Sequence, residues 1–164
     1  MTDQQANSIS DFIDNLDDEI ADKMFEELIA GMSLYFAILI FGEQIDNVFE
    51  DPANKDKSAE EKAKIIKSNS VNEEDVYAAL MGALSEEEKA QDFAEDCVQS
   101  IAFNPEYPQV LLDKIKELEI EEQDFSWNLI VTFKDQFIDF FVNDLDIEEW
   151  KNDIIDALVA SWEQ

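Results

Sequence analysis

The chain has 164 residues, of which 41 are Asp or Glu and 11 are basic, so its net charge is −30 at pH 7. All the basic residues are lysine, and the sequence contains no histidine. The lack of histidine removes the commonest general base and the ligands of most catalytic zinc sites, and the lack of arginine removes the bidentate phosphate clamp. Most hydrolase and oxidoreductase templates are thereby excluded, and direct binding to nucleic acid is disfavoured.

The hydrophobic content of 46%, with twelve Phe and three Trp, is typical of a folded chain despite the charge. The length suits one domain over residues 1–164. The single cysteine, Cys97, lies on an apolar stripe and is predicted to be a buried, inert thiol. No signal peptide is recognisable, and the apolar run Met32–Phe41 is too short to cross a bilayer. We therefore expect a cytoplasmic protein with no membrane partner.

Three Gly, three Pro and no alternating polar and apolar runs predict an all-α fold. We expect a single compact domain of about seven or eight helices around an apolar central helix. The first helix is predicted to begin near Ser8 or Ser10, with its apolar stripe reaching Ile20. The segment 25–41 is either a kinked continuation or a second, central helix, after which Gly42 and the polar residues that follow return the chain to solvent.

Capping signals predict where the later helices begin. The helix that opens near residue 85 is expected to carry an apolar stripe from Ala90 to Ile101. The helices that open near residues 58, 72 and 124 are expected to end near Ser68, Leu84 and Asn143. The predicted starts are Ser58 paired with Glu61, Asn72, Ser85 paired with Glu88, Pro108 in a first turn, Asp124, and Asp146 paired with Glu149.

No catalytic residue, metal site or cofactor is expected. The one stretch that could be aligned with a calcium-binding EF-hand loop begins at Asn54. It has Ala59 at the sixth position, where glycine is needed, and Ile65 at the twelfth, where a bidentate glutamate is needed. A dedicated calcium loop is therefore not predicted.

Two carboxylate pairs, Glu19-x-x-Asp22 and Glu43-x-x-Asp46, partly resemble the metal-binding pairs of helical nucleotide pyrophosphatases. That family carries a Glu-x-x-Glu pair and a Glu-x-x-Asp pair on facing helices. The resemblance covers four residues, the first pair has Asp where the family has Glu, and no basic set for holding phosphates follows. It implies a magnesium-dependent enzyme, which we keep as a second alternative.

Acidic residues repeat along the outer faces of the predicted helices. The acid-rich stretch Asp14–Glu27 and the residues before it place a row of acids, Asp11, Asp14, Asp18 and Asp22, opposite an apolar stripe. Successive members of the row are about 4.5 to 6 Å apart along the axis. This spacing is between one and two times the rise per phosphate on one DNA strand, about 3.4 Å. The predicted partner-binding set is Asp11, Asp14, Asp18, Glu19, Asp22, Glu26, Glu88, Asp92, Glu95, Asp96, Glu149, Asp153 and Asp156.

These rows could be ordinary solvated faces, but several helices lack the lysines that normally support i,i+4 pairs. A halophilic origin would require scarcer lysine and fewer large apolar residues than the chain has. We therefore expect a non-enzymatic inhibitor that imitates nucleic-acid phosphates and blocks the groove of a basic nucleic-acid-binding protein. A phage or mobile-element protein acting against a nuclease, a CRISPR effector or a restriction enzyme would fit.

The first alternative is an immunity-type protein that neutralises a basic toxin, often away from its nucleic-acid groove. Trp162 near the C-terminus also raises the question of a homodimer. A buried tryptophan in the last helix is the interpretation that we favour.

Overall fold

The structure is a computed structural model that describes residues 2–69, 71–100 and 103–163. Those residues form eight α-helices and no strand, so the predicted all-α fold is confirmed. A short 3₁₀-helix, Pro52–Asn54, follows α2, and a π-helical segment, Phe140–Asp144, follows α7. The α-helices are α1 (Asp3–Asp14), α2 (Asp18–Glu50), α3 (Ala59–Ser68), α4 (Glu73–Leu84), α5 (Glu87–Gln99), α6 (Gln109–Glu117), α7 (Glu122–Asp139) and α8 (Ile147–Trp162).

The predicted central helix is α2, a continuous helix of 33 residues that packs against α3, α5, α7 and α8. Phe36 of α2 meets Phe141 edge to face at 5.3 Å between ring centroids, and Phe41 lies 5.6 Å from the ring of Trp150. The prediction that the chain returns to solvent after Gly42 is wrong. Helix α2 continues to Glu50, because Ile45 is fully buried one turn further on and keeps this segment packed on the core.

Helix α2 is longer than the apolar run from which the sequence analysis argued. By length and composition alone, an 18-residue stretch of it is apolar enough to cross a membrane, and 44% of that stretch is buried inside the fold. The core helix of a folded domain meets the same criteria. Because α2 contacts four other helices and its aromatic side chains pack on α8 and the π-helical segment, we describe it as the core helix.

The first helix begins earlier than predicted, at Asp3 rather than at Ser8 or Ser10. The reason is a capping box in which the Thr2 hydroxyl accepts from the Gln5 N–H while the Gln5 side chain accepts from the Thr2 N–H. This box supplies an N-terminal signal that precedes the apolar stripe.

The side-chain caps predicted at Ser58, Asn72 and Asp146 are confirmed. The cap predicted at Ser85 is wrong, since α5 has no side-chain cap. Ser85 still belongs to the end of α4, where its N–H donates to the Met81 carbonyl at 2.8 Å, and its backbone has helical angles that a cap residue does not adopt.

Three other boundaries differ slightly from the prediction. Pro108 is the residue before α6 rather than part of its first turn, and α7 begins at Glu122. The predicted end at Asn143 falls in the π-helical segment, because the helical path widens after Asp139. Ile101, predicted on the α5 stripe, lies outside the described residues.

Gly31 allows a close approach of another side chain to the middle of α2. A Cβ at this position would lie 2.5 Å from Cδ2 of the Phe103 ring, and that ring is itself buried. Real Cβ atoms are essentially never this close to another heavy atom, so the ring or the helix must shift to make room.

We therefore expect Gly31→Ala to lower the free energy of unfolding by about 1–3 kcal/mol, as overpacking of a core does. Gly82→Ala on α4 is the matched control, because nothing lies within 4 Å of its Cβ position and alanine is favoured in helices. Urea unfolding followed by circular dichroism measures both. Equal midpoints for the two variants would contradict the close packing at Gly31.

Candidate acidic binding surface

All thirteen predicted partner-binding residues are exposed. They lie on three helical surfaces, which we name after their helices. The α1–α2 face contains Asp11, Asp14, Asp18, Glu19, Asp22 and Glu26; the α5 face contains Glu88, Asp92, Glu95 and Asp96; the α8 face contains Glu149, Asp153 and Asp156.

The α1–α2 face is built from two helices and not from one. Asn15 ends α1, and the Asp17 carboxylate caps α2 by accepting from the Glu19 N–H at 3.2 Å. Asn and Asp favour such capping positions because their short side chains bond the local backbone. The regular spacing of about 4.5 to 6 Å therefore holds within each helix but not between Asp14 and Asp18.

The α5 face lies opposite the apolar stripe of α5, whose members Phe93 and Cys97 are buried. Next to this face, burial raises the pKa of Tyr35 on α2, and the negative charge of Asp96 raises it further. The edge of the Tyr35 ring meets Phe93, with centroids 5.2 Å apart. Helix α5 thus packs on the central helix through its apolar side and leaves the α5 face exposed.

The three acids of the α8 face differ in their surroundings. Asp156 forms an ion pair with Lys67 of α3, with 2.7 Å between Nζ and Oδ2, so part of its charge is neutralised. Glu149 and Asp153 border a surface depression of about 530 Å³ that also includes Trp150. These two acids are therefore better placed than Asp156 to meet a partner.

Carboxylates that the sequence analysis did not select lie close to this pair. Asp144 and Asp146 line the same depression, and Asp139 lines the next one. The sequence places them at the end of one helix and the cap of another, where acids have structural explanations. Only the turn between α7 and α8 brings them beside Glu149.

Lysines neutralise few of these acids. The described residues contain six ion pairs, each with a different lysine, against 41 Asp and Glu in the chain. Exposed pairs contribute about 0–1 kcal/mol each, so they do not offset the repulsion among the remaining carboxylates. The surface charge is predominantly negative wherever the three acidic faces lie.

The two pairs that resemble pyrophosphatase motifs do not face each other. Glu19 and Asp22 lie at the beginning of α2, and Glu43 and Asp46 lie near its end on the same helix. A rise of 1.5 Å per residue separates the pairs by about 36 Å. Across the part of the chain that the structure describes, no group of three or more Cys, Asp or Glu side chains could hold a metal ion.

Cys97 is fully buried, as predicted, and burial raises the pKa of its thiol. Trp162 is half-buried rather than buried as expected, and its indole N–H donates to the Asp46 carboxylate at 2.7 Å. This bond ties the end of α8 to α2. The homodimer stays a prediction.

Comparison with known proteins gives no match. No protein-family model, no curated protein and no solved structure matches the chain.

Because the acids greatly outnumber their lysine partners, salt should stabilise the fold. Raising NaCl from about 10 mM to 0.5 M shortens the screening length from about 30 Å to a few Å. We expect the Tm to rise by about 4–8 °C, which corresponds to roughly 2 kcal/mol of relieved repulsion in a chain of this size. Scanning calorimetry at both NaCl concentrations measures the Tm, with an uncharged osmolyte in place of NaCl as the control. A Tm that does not change with NaCl would contradict strong repulsion among the carboxylates.

Proposed function

We propose that this protein is a non-enzymatic inhibitor that imitates the phosphate charge of nucleic acid and occupies the basic groove of a DNA- or RNA-binding protein. In this proposal it needs no cofactor and acts in the cytoplasm. The proposed targets are defence enzymes that hold nucleic acid, such as a restriction enzyme or a CRISPR effector, and the protein itself would be encoded by a phage or mobile element.

The observation that carries the proposal is the density of unpaired negative charge on a rigid body. A compact chain of this length is about 40 Å across, a distance over which duplex DNA carries roughly 24 charges. The net charge of −30 is therefore comparable with that of a duplex of equal length. Three exposed acidic faces carry part of this charge on helices that are fixed by a common core.

Complementary charge gives such a protein both speed and selectivity. Opposite surface potentials raise association rates well above those of neutral pairs, and they reject partners that are not strongly basic. A body with few lysines on its surface would also avoid the nucleic acid that its target binds, because like charges repel. These properties are what an inhibitor in competition with nucleic acid needs.

The proposal is tested by immobilising the protein and applying nuclease-treated lysate of its source organism at about 150 mM salt. The column is then eluted with rising concentrations of a 24-base-pair DNA duplex, of an RNA duplex or of polyglutamate, each expressed as concentration of negative charge. We expect the retained proteins to be nucleic-acid-binding proteins that a duplex elutes at lower charge concentration than polyglutamate does. Equal elution by all three polyanions would indicate general ion exchange and would contradict the proposal.

A further inference from the structure

Three neighbouring depressions share lining residues beside α2. The largest, about 530 Å³, lies between α2 and α8. It shares Asp144 with a depression of about 400 Å³ that reaches Phe25, and it shares Ala30 and Leu34 with one of about 150 Å³ beside Pro105. Their lining residues on α2 run from Phe25 to Leu34, about 14 Å along the helix. We call these three depressions together the α2–α8 groove.

The floor of the groove is apolar and belongs partly to the core. Leu34, Leu145 and Ile154 are half-buried in the lining, and Trp150, which also lines it, is only 7% exposed. The Trp150 ring meets Phe141 at 4.9 Å between centroids, so the floor cannot rearrange without disturbing the core. An apolar floor of this kind gains stability when an apolar side chain covers it.

The rim of the groove is acidic. Asp144, Glu149 and Asp153 are exposed and form none of the ion pairs found among the described residues. Glu27 lies at the far end, where it accepts from the Glu106 N–H at 3.1 Å. Among the residues that the structure describes, no lysine lines any of the three depressions. The rim therefore favours a cationic occupant and the floor an apolar one.

We infer that the partner docks in the α2–α8 groove through a basic segment that places one large apolar side chain between flanking Arg or Lys residues. The class of partner rests on the proposed function, but the choice of surface rests on the groove itself. The α5 face borders a depression of only about 90 Å³ beside Glu95, which is too small for such a side chain. The α1–α2 and α5 faces then steer the partner, and the groove holds it.

Two synthetic peptides of 15 residues are suitable probes. Both carry arginine on one face of a helix, and they differ only at the central position, which is phenylalanine in one and alanine in the other. Fluorescence anisotropy measures their affinities for the protein at about 150 mM NaCl. We expect the phenylalanine peptide to bind at least about tenfold more tightly, since burying one aromatic side chain contributes about 1.5–3 kcal/mol. Equal affinities would overturn the inference.

Two matched pairs of variants locate the contact. Glu149→Gln with Asp153→Asn removes two charges at the groove, and Glu88→Gln with Asp92→Asn removes two charges at the α5 face. The pairs are matched because each combines a Glu in the first turn of its helix with the Asp four residues later. We expect the groove pair to weaken binding of the phenylalanine peptide about tenfold and the α5 pair no more than about twofold. Equal losses would show that only total charge matters.

Filling the groove tests the floor without changing charge. Ala157 is exposed in the lining of the groove, and Ala79 is exposed on α4 outside it. We expect Ala157→Trp to abolish the preference for the phenylalanine peptide and Ala79→Trp to retain it. If the groove binds the peptide as expected while a duplex fails to elute any partner, the proposed function fails and the groove stands. If a duplex elutes a partner but the groove variants bind as the wild type does, the groove inference fails alone.

Discussion

Replacing Asp11, Asp14, Asp18 and Asp22 by lysine should slow association with the partner recovered by duplex elution by about 10- to 100-fold at low salt. The four acids are exposed on the α1–α2 face, so their replacement leaves the core intact, and in our proposal their role is to steer the partner. Lysine at these positions would face a basic groove with like charges, which repel. Surface-immobilised kinetics at two salt concentrations measure the rate, and the difference from wild type should shrink at the higher concentration.

The same four changes to asparagine provide the control. They should slow association less than lysine does and leave the Tm nearly unchanged. Asp11 and Asp14 lie in the last turns of α1, where a negative charge opposes the helix dipole, whereas Asp18 lies in the first turn of α2, where it is favourable. If the lysine variant associates at the wild-type rate, the α1–α2 face is an ordinary solvated surface.

Lys151→Met should destabilise the fold by about 2–4 kcal/mol, the cost of breaking a buried charged network. Lys151 is 3% exposed, and its ammonium group donates to the carbonyls of Lys67 and Asn69 at 3.1 and 2.9 Å. These carbonyls end α3, where a positive charge also complements the helix dipole. A 3.1 Å ion pair with Glu148 completes the environment, so this lysine fastens α8 to α3.

Lys89→Met makes the same change of charge at an exposed ion pair with Glu86, whose N–O distance is 3.5 Å. It should change stability by less than about 1 kcal/mol, because exposed pairs contribute little. Thermal unfolding should therefore place the Lys151→Met midpoint about 4–16 °C below wild type and the control close to it. Similar midpoints for both variants would contradict the structural role assigned to Lys151.

The helical fold could be predicted from the sequence to a large extent, because its signals are local. Side-chain caps at Ser58, Asn72 and Asp146 mark helix starts whose hydrogen bonds span only two or three residues. The run Met32–Phe41, which is apolar on all sides of the helix, likewise indicates the central position of α2. Boundaries failed where two local signals compete, as at Ser85, which ends one helix while resembling the cap of the next.

The candidate site was less accessible to prediction, because it depends on which helices become neighbours. The exposure of the acids follows from helical periodicity, yet the turn at Asn15–Asp17 that divides the α1–α2 face did not stand out from the acids around it. The α2–α8 groove joins residues more than 100 positions apart, such as Ala30 and Ile154. The buried position of Lys151 was equally hidden, since its partners are carbonyls of another helix.

Competition between this protein and nucleic acid for one purified partner tests the central proposal most directly. A labelled duplex is bound to the partner, and the protein is titrated in while anisotropy and complex mass are recorded. Imitation of phosphate charge predicts mutually exclusive binding, so that the apparent Kd of the duplex rises linearly with the concentration of this protein. A ternary complex in which the duplex stays bound with unchanged affinity would contradict the proposal and would favour an immunity-type inhibitor acting away from the nucleic-acid groove.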